Sequence, residues 1–257
     1  MGEWSLSFDD ALHSMTLSDD GSYTAYSKEY DEHYHSTKDG ALHESFTKHI
    51  LPAYNHLSQK DEITILDICY GLGFNTLATI LYYKENAPQK RLNIYSPELD
   101  AILVKSLANF LYPKEFDALR EIINALSTDG VYQDKTLYVE VFIGDAREYV
   151  KRFENKFDIV YQDAFSPATN PILWTKEYFS DVRKAIKDEG ILTTYSIALK
   201  SRLALYENGF HIYLNEGKNF RASTLASPSK LRDIQEINMQ HKIACNPTVT
   251  SLRDEEI

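Results

Sequence analysis

Short apolar runs alternate with helical patterns through most of the chain, and no other feature limits its fold as strongly. ITILDI (63–68), LNIYSPE (92–98), LYVEVFIGD (137–145) and FDIVYQD (157–163) read as strands, followed by GILTTYS (190–196), HIYLN (211–215) and RASTLAS (221–227). Between the first of these, FNTLATILYYKEN (74–86) and AILVKSLANF (101–110) carry helical spacing. Strands and helices in this order argue for βαβ units and a mostly parallel sheet. The strands are nearly continuous apolar runs, as a sheet covered on both faces requires. A doubly wound α/β domain is expected over residues 61–227, with residues 1–60 as a β-rich N-terminal extension or cap and 228–257 as a C-terminal tail. In the extension, SLSFDDALHSMTLSDDGSYTAYS reads as a β-hairpin, with turn signals at Asp19-Asp20-Gly21 and Lys38-Asp39-Gly40.

In such sheets ligands bind beyond the carboxyl ends of the strands. Four successive strands deliver an acid there: Asp67, Glu98, Asp145 and Asp163. Four acids on one edge are much harder to ascribe to chance than any one of them. After Asp67 the chain reads CYGLGFN, in which Gly71 and Gly73 make the turn into the helix. Glycines there serve either the turn alone or a close approach of backbone to ligand. No Gly-Lys-Ser/Thr follows, and Cys69 stands where a dinucleotide fingerprint would begin with glycine. Glu98 is placed to accept ribose hydroxyls. Asp145 reads equally as a helix N-cap or as an acceptor for an adenine amine. An acidic rim repels a pyrophosphate and suits a ligand with hydroxyls, an amine and a positive centre. S-adenosylmethionine has those properties.

The net charge of −11 disfavours indiscriminate nucleic-acid binding, yet it is unevenly spread. Residues 1–60 hold ten acids against four Lys, whereas 198–232 hold six basic residues against Glu207 and Glu216. That segment is either a solvated face or a polyanion-docking surface. Two distant cysteines, Cys69 and Cys245, fit a reducing compartment and no disulfide framework. The start of the chain lacks a signal-peptide pattern and no apolar run is long enough to span a bilayer, so a cytoplasmic location without membrane contact is expected. His33, His35 and His43 lack carboxylate–histidine spacing, and no metal is expected.

With these residues placed, the chain resembles class I S-adenosylmethionine-dependent methyltransferases, which have a Rossmann-like fold. More narrowly, it is similar to the methyltransferase part of the MnmC family, which completes 5-methylaminomethyl(-2-thio)uridine at the tRNA wobble position. The resemblance rests on SKEYDEHYHSTKDGALHES (27–45), DICYGLGFN (67–75), SPELD (96–100), IGDAREYV (143–150), TYSIALKSRLALYENGF (194–210) and, above all, QDAFSPATNPILWT (162–175). It implies S-adenosylmethionine as cofactor, no FAD, and tRNA, through its anticodon region, as partner of a monomeric chain. It implies N-methylation of a 5-aminomethyl group. By the same resemblance, Asp67, Tyr70, Gly71, Gly73, Asn75, Glu98, Asp145, Ala146 and Asp163 would form the cofactor set. Asp163 would be the catalytic residue, positioning the amine rather than acting as a base. Phe165 and Pro167 would wall the amine from water, and Trp174 or Tyr70 would stack on the uracil, with core packing the other reading of Trp174. Asn170 would bond the base edge or fix its turn, and Tyr34 and Glu44 would close over the site. Lys200, Arg202, Lys218 and Arg221 would meet the RNA. Two departures stand out: Cys69 replaces a usual glycine, and EGKNFRAST (216–224) replaces a Gly-x-Gly-x-Lys-Arg-Glu pattern. The alternatives are a small-amine transferase resembling the polyamine aminopropyltransferases, and a non-catalytic RNA-binding module.

Overall fold

The apolar runs do become strands, and the crossovers between them set their order in space. The computed structural model describes Phe8 and residues 13–257. Three short strands come first: β1 (His13–Leu17), β2 (Tyr23–Ser27) and β3 (Glu32–His33). A helical stretch follows, made of α1 (Ala41–Glu44), a π-helical turn (Ser45–Ile50) and α2 (Leu51–His56). Next come β4 (Glu62–Ile68), α3 (Phe74–Asn86), β5 (Arg91–Glu98), α4 (Ala101–Ser106) and α5 (Arg120–Asp129). They lead to β6 (Val131–Gln133), β7 (Leu137–Ile143), α6 (Ala146–Val150) and β8 (Phe157–Gln162). The chain continues through α7 (Lys176–Ala185), β9 (Ile186–Thr194), α8 (Leu199–Tyr206) and the hairpin β10 (His211–Gly217) and β11 (Phe220–Ser227). It then forms α9 (Met239–Cys245).

β4 pairs in parallel with β5 on one side and with β8 on the other, and these pairs extend to β7 and β9. The full order is β10-β11-β9-β8-β4-β5-β7-β6. Antiparallel strands close both edges, β6 against β7 and the β10–β11 hairpin against β9. The sheet is therefore mostly parallel and doubly wound, as the alternation implied. The chain moves outward from β4 and then returns to β8, so the order reverses between them. A doubly wound sheet opens its ligand crevice at that point.

Side chains of β4 alternate between two buried layers. Ile63 and Ile65 join Leu77 and Phe116 on one face, while Leu66 and Ile68 join Val160 and Phe179 on the other. Water is excluded from both faces, which explains the continuous apolar runs. Asp158, at the amino-terminal end of β8, shows how a structural acid is handled here. It is fully buried, and its carboxylate takes Lys60 Nζ at 2.7 Å, Lys187 Nζ at 2.9 Å and the Thr64 N–H at 2.9 Å.

The extension is β-rich only as far as His33. The expected hairpin is present between His13 and Ser27, closed by Ser18 N–H donating to Ser22 O at 2.8 Å. Residues 5–7 and 9–12 of that stretch lie outside the described residues. From Ala41 to His56 the chain is helical instead. Four of the residues this stretch buries are polar: Glu44, Ser45, Lys48 and His49. A helix whose inner face is polar leaves no apolar period to read. The pattern at 101–110 is α-helical to Ser106 and then tightens into a 3-10 turn, Leu107–Asn109. No helix among the described residues is long and apolar enough to cross a membrane.

Candidate active site

The carboxyl ends of β4, β5, β7 and β8 open into one cleft of about 1080 Å³. Eight carboxylate side chains line it, against four from Lys and Arg. That excess favours a cationic ligand and opposes a polyanionic one. β4 hands over to α3 through Cys69-Tyr70-Gly71-Leu72-Gly73, in which φ is 66° at Cys69, 53° at Gly71 and 76° at Gly73. Cys69 thus keeps the left-handed shape that a glycine would adopt freely, at a strain of roughly 1–2 kcal/mol. A Cβ on Gly71 would lie 3.1 Å from the Tyr34 ring, and one on Gly73 would lie 2.8 Å from the Tyr70 ring.

The four strand-end acids differ in their surroundings. Asp67 is buried behind the loop and does not line the cleft. Its Oδ2 accepts from Thr76 Oγ1 at 2.7 Å, and its Oδ1 has no partner. Burial pushes this carboxyl up to about 8, against the Thr76 hydrogen bond. Glu98 lines the cleft and accepts three backbone N–H groups, from Gly71 (2.8 Å), Leu99 (2.8 Å) and Asp100 (3.0 Å). Burial raises its pKa and those three donors pull against it. A carboxylate has about four lone-pair positions, so roughly one stays open to the cleft. Asp145 caps α6, its Oδ1 accepting from Arg147 N (2.7 Å) and Glu148 N (3.2 Å), and it also faces the cleft beside Ala146. The N-cap reading of Asp145 thus holds, and the cap leaves the residue at the cleft.

Asp163 follows β8 and faces the cleft. Its Oδ2 accepts from Asn75 Nδ2 at 2.7 Å, and its Oδ1 lies 3.5 Å from His49 Nε2. Burial alone would raise its pKa, but the His49 and His35 rings and the Asn75 amide outweigh burial. They hold the carboxyl well below the usual carboxylate range, so it stays ionised. The loop beyond it is held at three consecutive residues. Tyr195 Oη donates to Ala164 O (3.0 Å), Trp174 Nε1 donates to Phe165 O (2.7 Å), and Glu32 accepts from Ser166 N (3.2 Å) and Oγ (3.0 Å). Tyr30 stacks on Phe165 with centroids 4.8 Å apart and planes inclined by 25°, and Tyr34 packs at 5.0 Å from the same ring.

Of the residues expected to hold the cofactor, Tyr70, Gly71, Asn75, Glu98, Asp145, Ala146 and Asp163 line this cleft, while Asp67 and Gly73 lie behind it. Of the substrate set, Tyr34, Glu44, Phe165, Asn170 and Arg221 line it. Pro167 does not. Trp174 is 1% exposed, which gives its indole no open face for a base. Its role is to anchor the loop, the packing reading of that residue. Arg202 is half-buried against β11, its Nε donating to Thr224 Oγ1 at 2.9 Å, and Lys200 and Lys218 are exposed outside the cleft. Sequence reasoning missed Tyr30, Glu32 and His49. The first two lay in the stretch 27–45 and carried a readable signal, an acid among aromatics. His49 carried none, because it sits on the polar-faced helix. Among the described residues no His/Cys/Asp/Glu group has the arrangement to hold a metal ion.

Residues 114–228 match a family model described as S-adenosyl-L-methionine-dependent methyltransferase. The crystal structure of MnmC2 from Aquifex aeolicus superposes with a TM-score of 0.82 at 30% identity, covering 97% of this chain and 81% of that one. An uncharacterised protein of Methanocaldococcus jannaschii is 29% identical over 95% of this chain and 68% of its own length. The tRNA 5-methylaminomethyl-2-thiouridine biosynthesis bifunctional protein MnmC of Azoarcus sp. is 30% identical over 77% of this chain. This chain spans 33% of that bifunctional relative. With a sheet of this order, a glycine turn behind an acidic cleft, and near full-length agreement with MnmC2, the chain belongs to the MnmC family of S-adenosylmethionine-dependent methyltransferases.

Proposed function

We propose that the chain N-methylates the 5-aminomethyl group of the tRNA wobble uridine, giving 5-methylaminomethyl(-2-thio)uridine. The observation that carries this reading is Asp163, an ionised acceptor in an acidic cleft with aromatic walls, in a chain related to MnmC. S-adenosylmethionine supplies a methyl group activated on a sulfonium. The residues present fit it. Asn75 Oδ1 is a buried acceptor without a partner, suited to the cofactor's ammonium. Glu98 keeps one lone pair for a ribose hydroxyl, and Asp145 and Ala146 border the place for the adenine. Gly71 and Gly73 keep the backbone of the turn close to the ligand. Gly73→Ala adds left-handed strain of roughly 1–2 kcal/mol and drives a methyl into the buried Tyr70 ring. The turn is expected to shift to relieve that strain, and calorimetry should show a cofactor affinity lowered about tenfold, which is about 1.4 kcal/mol of lost contact.

The amine must present a free lone pair. An alkylamine with pKa about 10.4 is ammonium at pH 7, and losing its proton costs roughly 4–5 kcal/mol. An aminomethyl group on a uracil ring is less basic, so that figure is a ceiling. Asp163 does not lower the cost, because a carboxylate raises the pKa of an amine beside it. Its part is positioning: it accepts one N–H and turns the lone pair toward the methyl group. Phe165, Tyr34 and Tyr30 exclude water, which favours the neutral amine. The Tyr30–Phe165 stack also offers the uracil an aromatic face, the part expected of Trp174. The exposed Arg221 at the cleft, with Lys200 and Lys218 outside it, suits RNA phosphates, with an affinity that falls as salt rises.

Mass spectrometry of tRNA nucleosides from a deletion strain tests the reading. Loss of 5-methylaminomethyluridine with accumulation of 5-aminomethyluridine is expected; an unchanged profile sinks it. Aminopropyl transfer to a free polyamine without RNA would move the chain to the aminopropyltransferase class. RNA binding with no methyl transfer would leave it a binding module.

A further inference from the structure

Behind Asp163 lies a buried array that the reaction as described does not use. His49 is fully buried in the π-helical turn, and such turns recur at functional sites. Its Nδ1 is 2.7 Å from Thr193 Oγ1 on β9, and its Nε2 is 3.5 Å from Asp163 Oδ1. Thr193 is itself fully buried. A buried hydroxyl is satisfied by donating its proton, and here the acceptor within reach is His49 Nδ1. That leaves the ring proton on Nε2, facing the carboxylate. Nε2 has no other partner, and 3.5 Å is long for a hydrogen bond. Hydrogen bonds of catalytic groups often stand long in the free enzyme and tighten when substrate docks.

We propose that His49 is a positioning residue, its tautomer set by Thr193, whose Nε2–H reaches Asp163 when the amine binds and holds the carboxylate as a charged, oriented acceptor. Asn75 secures one oxygen and His49 the other. Their remaining lone pairs are then fixed in direction toward the cleft. A histidine with a second partner on its far nitrogen serves metals and nucleophiles in the same way. The titratable and charged groups facing this pair come from several elements. They are Asp67 from β4, Cys69 after it, Tyr161 from β8, Tyr195 beyond β9, His35 before α1, and Glu44 and Lys48 from the helix of His49 itself. The inference rests on the methyl-transfer reading above, and one arm of its test does not.

That arm is nitrogen-15 NMR of the histidine rings in the full chain, without RNA. The wild type is expected to carry the His49 proton on Nε2, and Thr193→Val to lose that preference. The second arm measures methyl transfer to aminomethyl-bearing tRNA across pH. Thr193→Val is expected to lower kcat about tenfold, and His49→Phe about a hundredfold, with cofactor affinity little changed. In His49→Phe an acid limb absent from the wild type should appear above about pH 5, because Asp163 loses a donor to its charged form. His49→Gln, which returns a donor near the Nε2 position, should recover most of the rate. A proton found on Nδ1, or a His49→Phe enzyme with the wild-type pH profile, overturns the proposal. If the wild type fails to methylate that RNA while Nε2 carries the proton, the substrate reading fails and the tautomer assignment stands. If His49→Phe does not fold, Thr193→Val and His49→Gln decide.

Discussion

Asp163→Asn is expected to slow methyl transfer about a thousandfold, roughly 4 kcal/mol of barrier, while cofactor affinity falls only several-fold. The substitution keeps the shape of the side chain and removes its charge. Its new amide would also set a donor against either the Asn75 amide or the incoming amine, each of which needs an acceptor. Asp163→Glu keeps the charge but carries it one methylene further, and a misplacement on the order of 1 Å is worth about a hundredfold. Single-turnover rates with calorimetric cofactor affinities separate the two effects. An Asn variant within tenfold of the wild type would remove Asp163 from the positioning role. The pH dependence has a definite sign. The folded pKa of Asp163 is depressed, so its contribution to stability is present above the unfolded value of about 3.9 and is lost only as pH falls toward the folded one. Neither binding nor rate should therefore decline through Asp163 at about pH 5.

Asp67→Asn is expected to flatten the pH dependence of stability. Asp67 behaves oppositely to Asp163, its folded pKa being pushed up to about 8 by burial. Between about pH 4, where the unfolded chain ionises, and about pH 8, the folded state binds more protons, so stability falls as pH rises. Each tenfold difference in proton affinity between the folded and unfolded chain is worth about 1.4 kcal/mol. Urea midpoints for the wild type are thus expected to decline by roughly 2–4 kcal/mol of stability relative to the Asn variant between about pH 5 and 8. The amide can still accept from Thr76, and it places an N–H₂ where the protonated acid already has an unpaired O–H. Parallel curves for the two proteins would show that Asp67 is ionised in the fold.

The strands and α3 were legible because a sheet buried on both faces writes itself as apolar runs. The acids at the strand ends were legible for a related reason: a carboxylate closing such a run has few structural uses. Yet equal positions in the pattern did not bring equal surroundings. Asp67 and Asp163 each follow buried residues on neighbouring parallel strands. One is sealed behind a glycine turn against the Thr76 hydroxyl, and the other faces the cleft beside an amide and two imidazoles. Trp174 sat in the most specific motif of the chain and turned out to support the loop from beneath. Tyr30, outside that motif, lines the cleft and stacks on Phe165.

By itself the sequence determined the doubly wound sheet, the edge on which the cleft opens, and the acidic character of that edge. Periodicity and residue type carry those properties, and both are local. Tertiary structure alone decided which acid is pushed up and which is held down, which aromatics line the cleft, and that His49 stands behind Asp163. Those depend on contacts across long separations: His49 meets Thr193 at a distance of 144 residues along the chain. Burial and neighbouring dipoles set the charge of a carboxyl, and neither is written in the residues beside it.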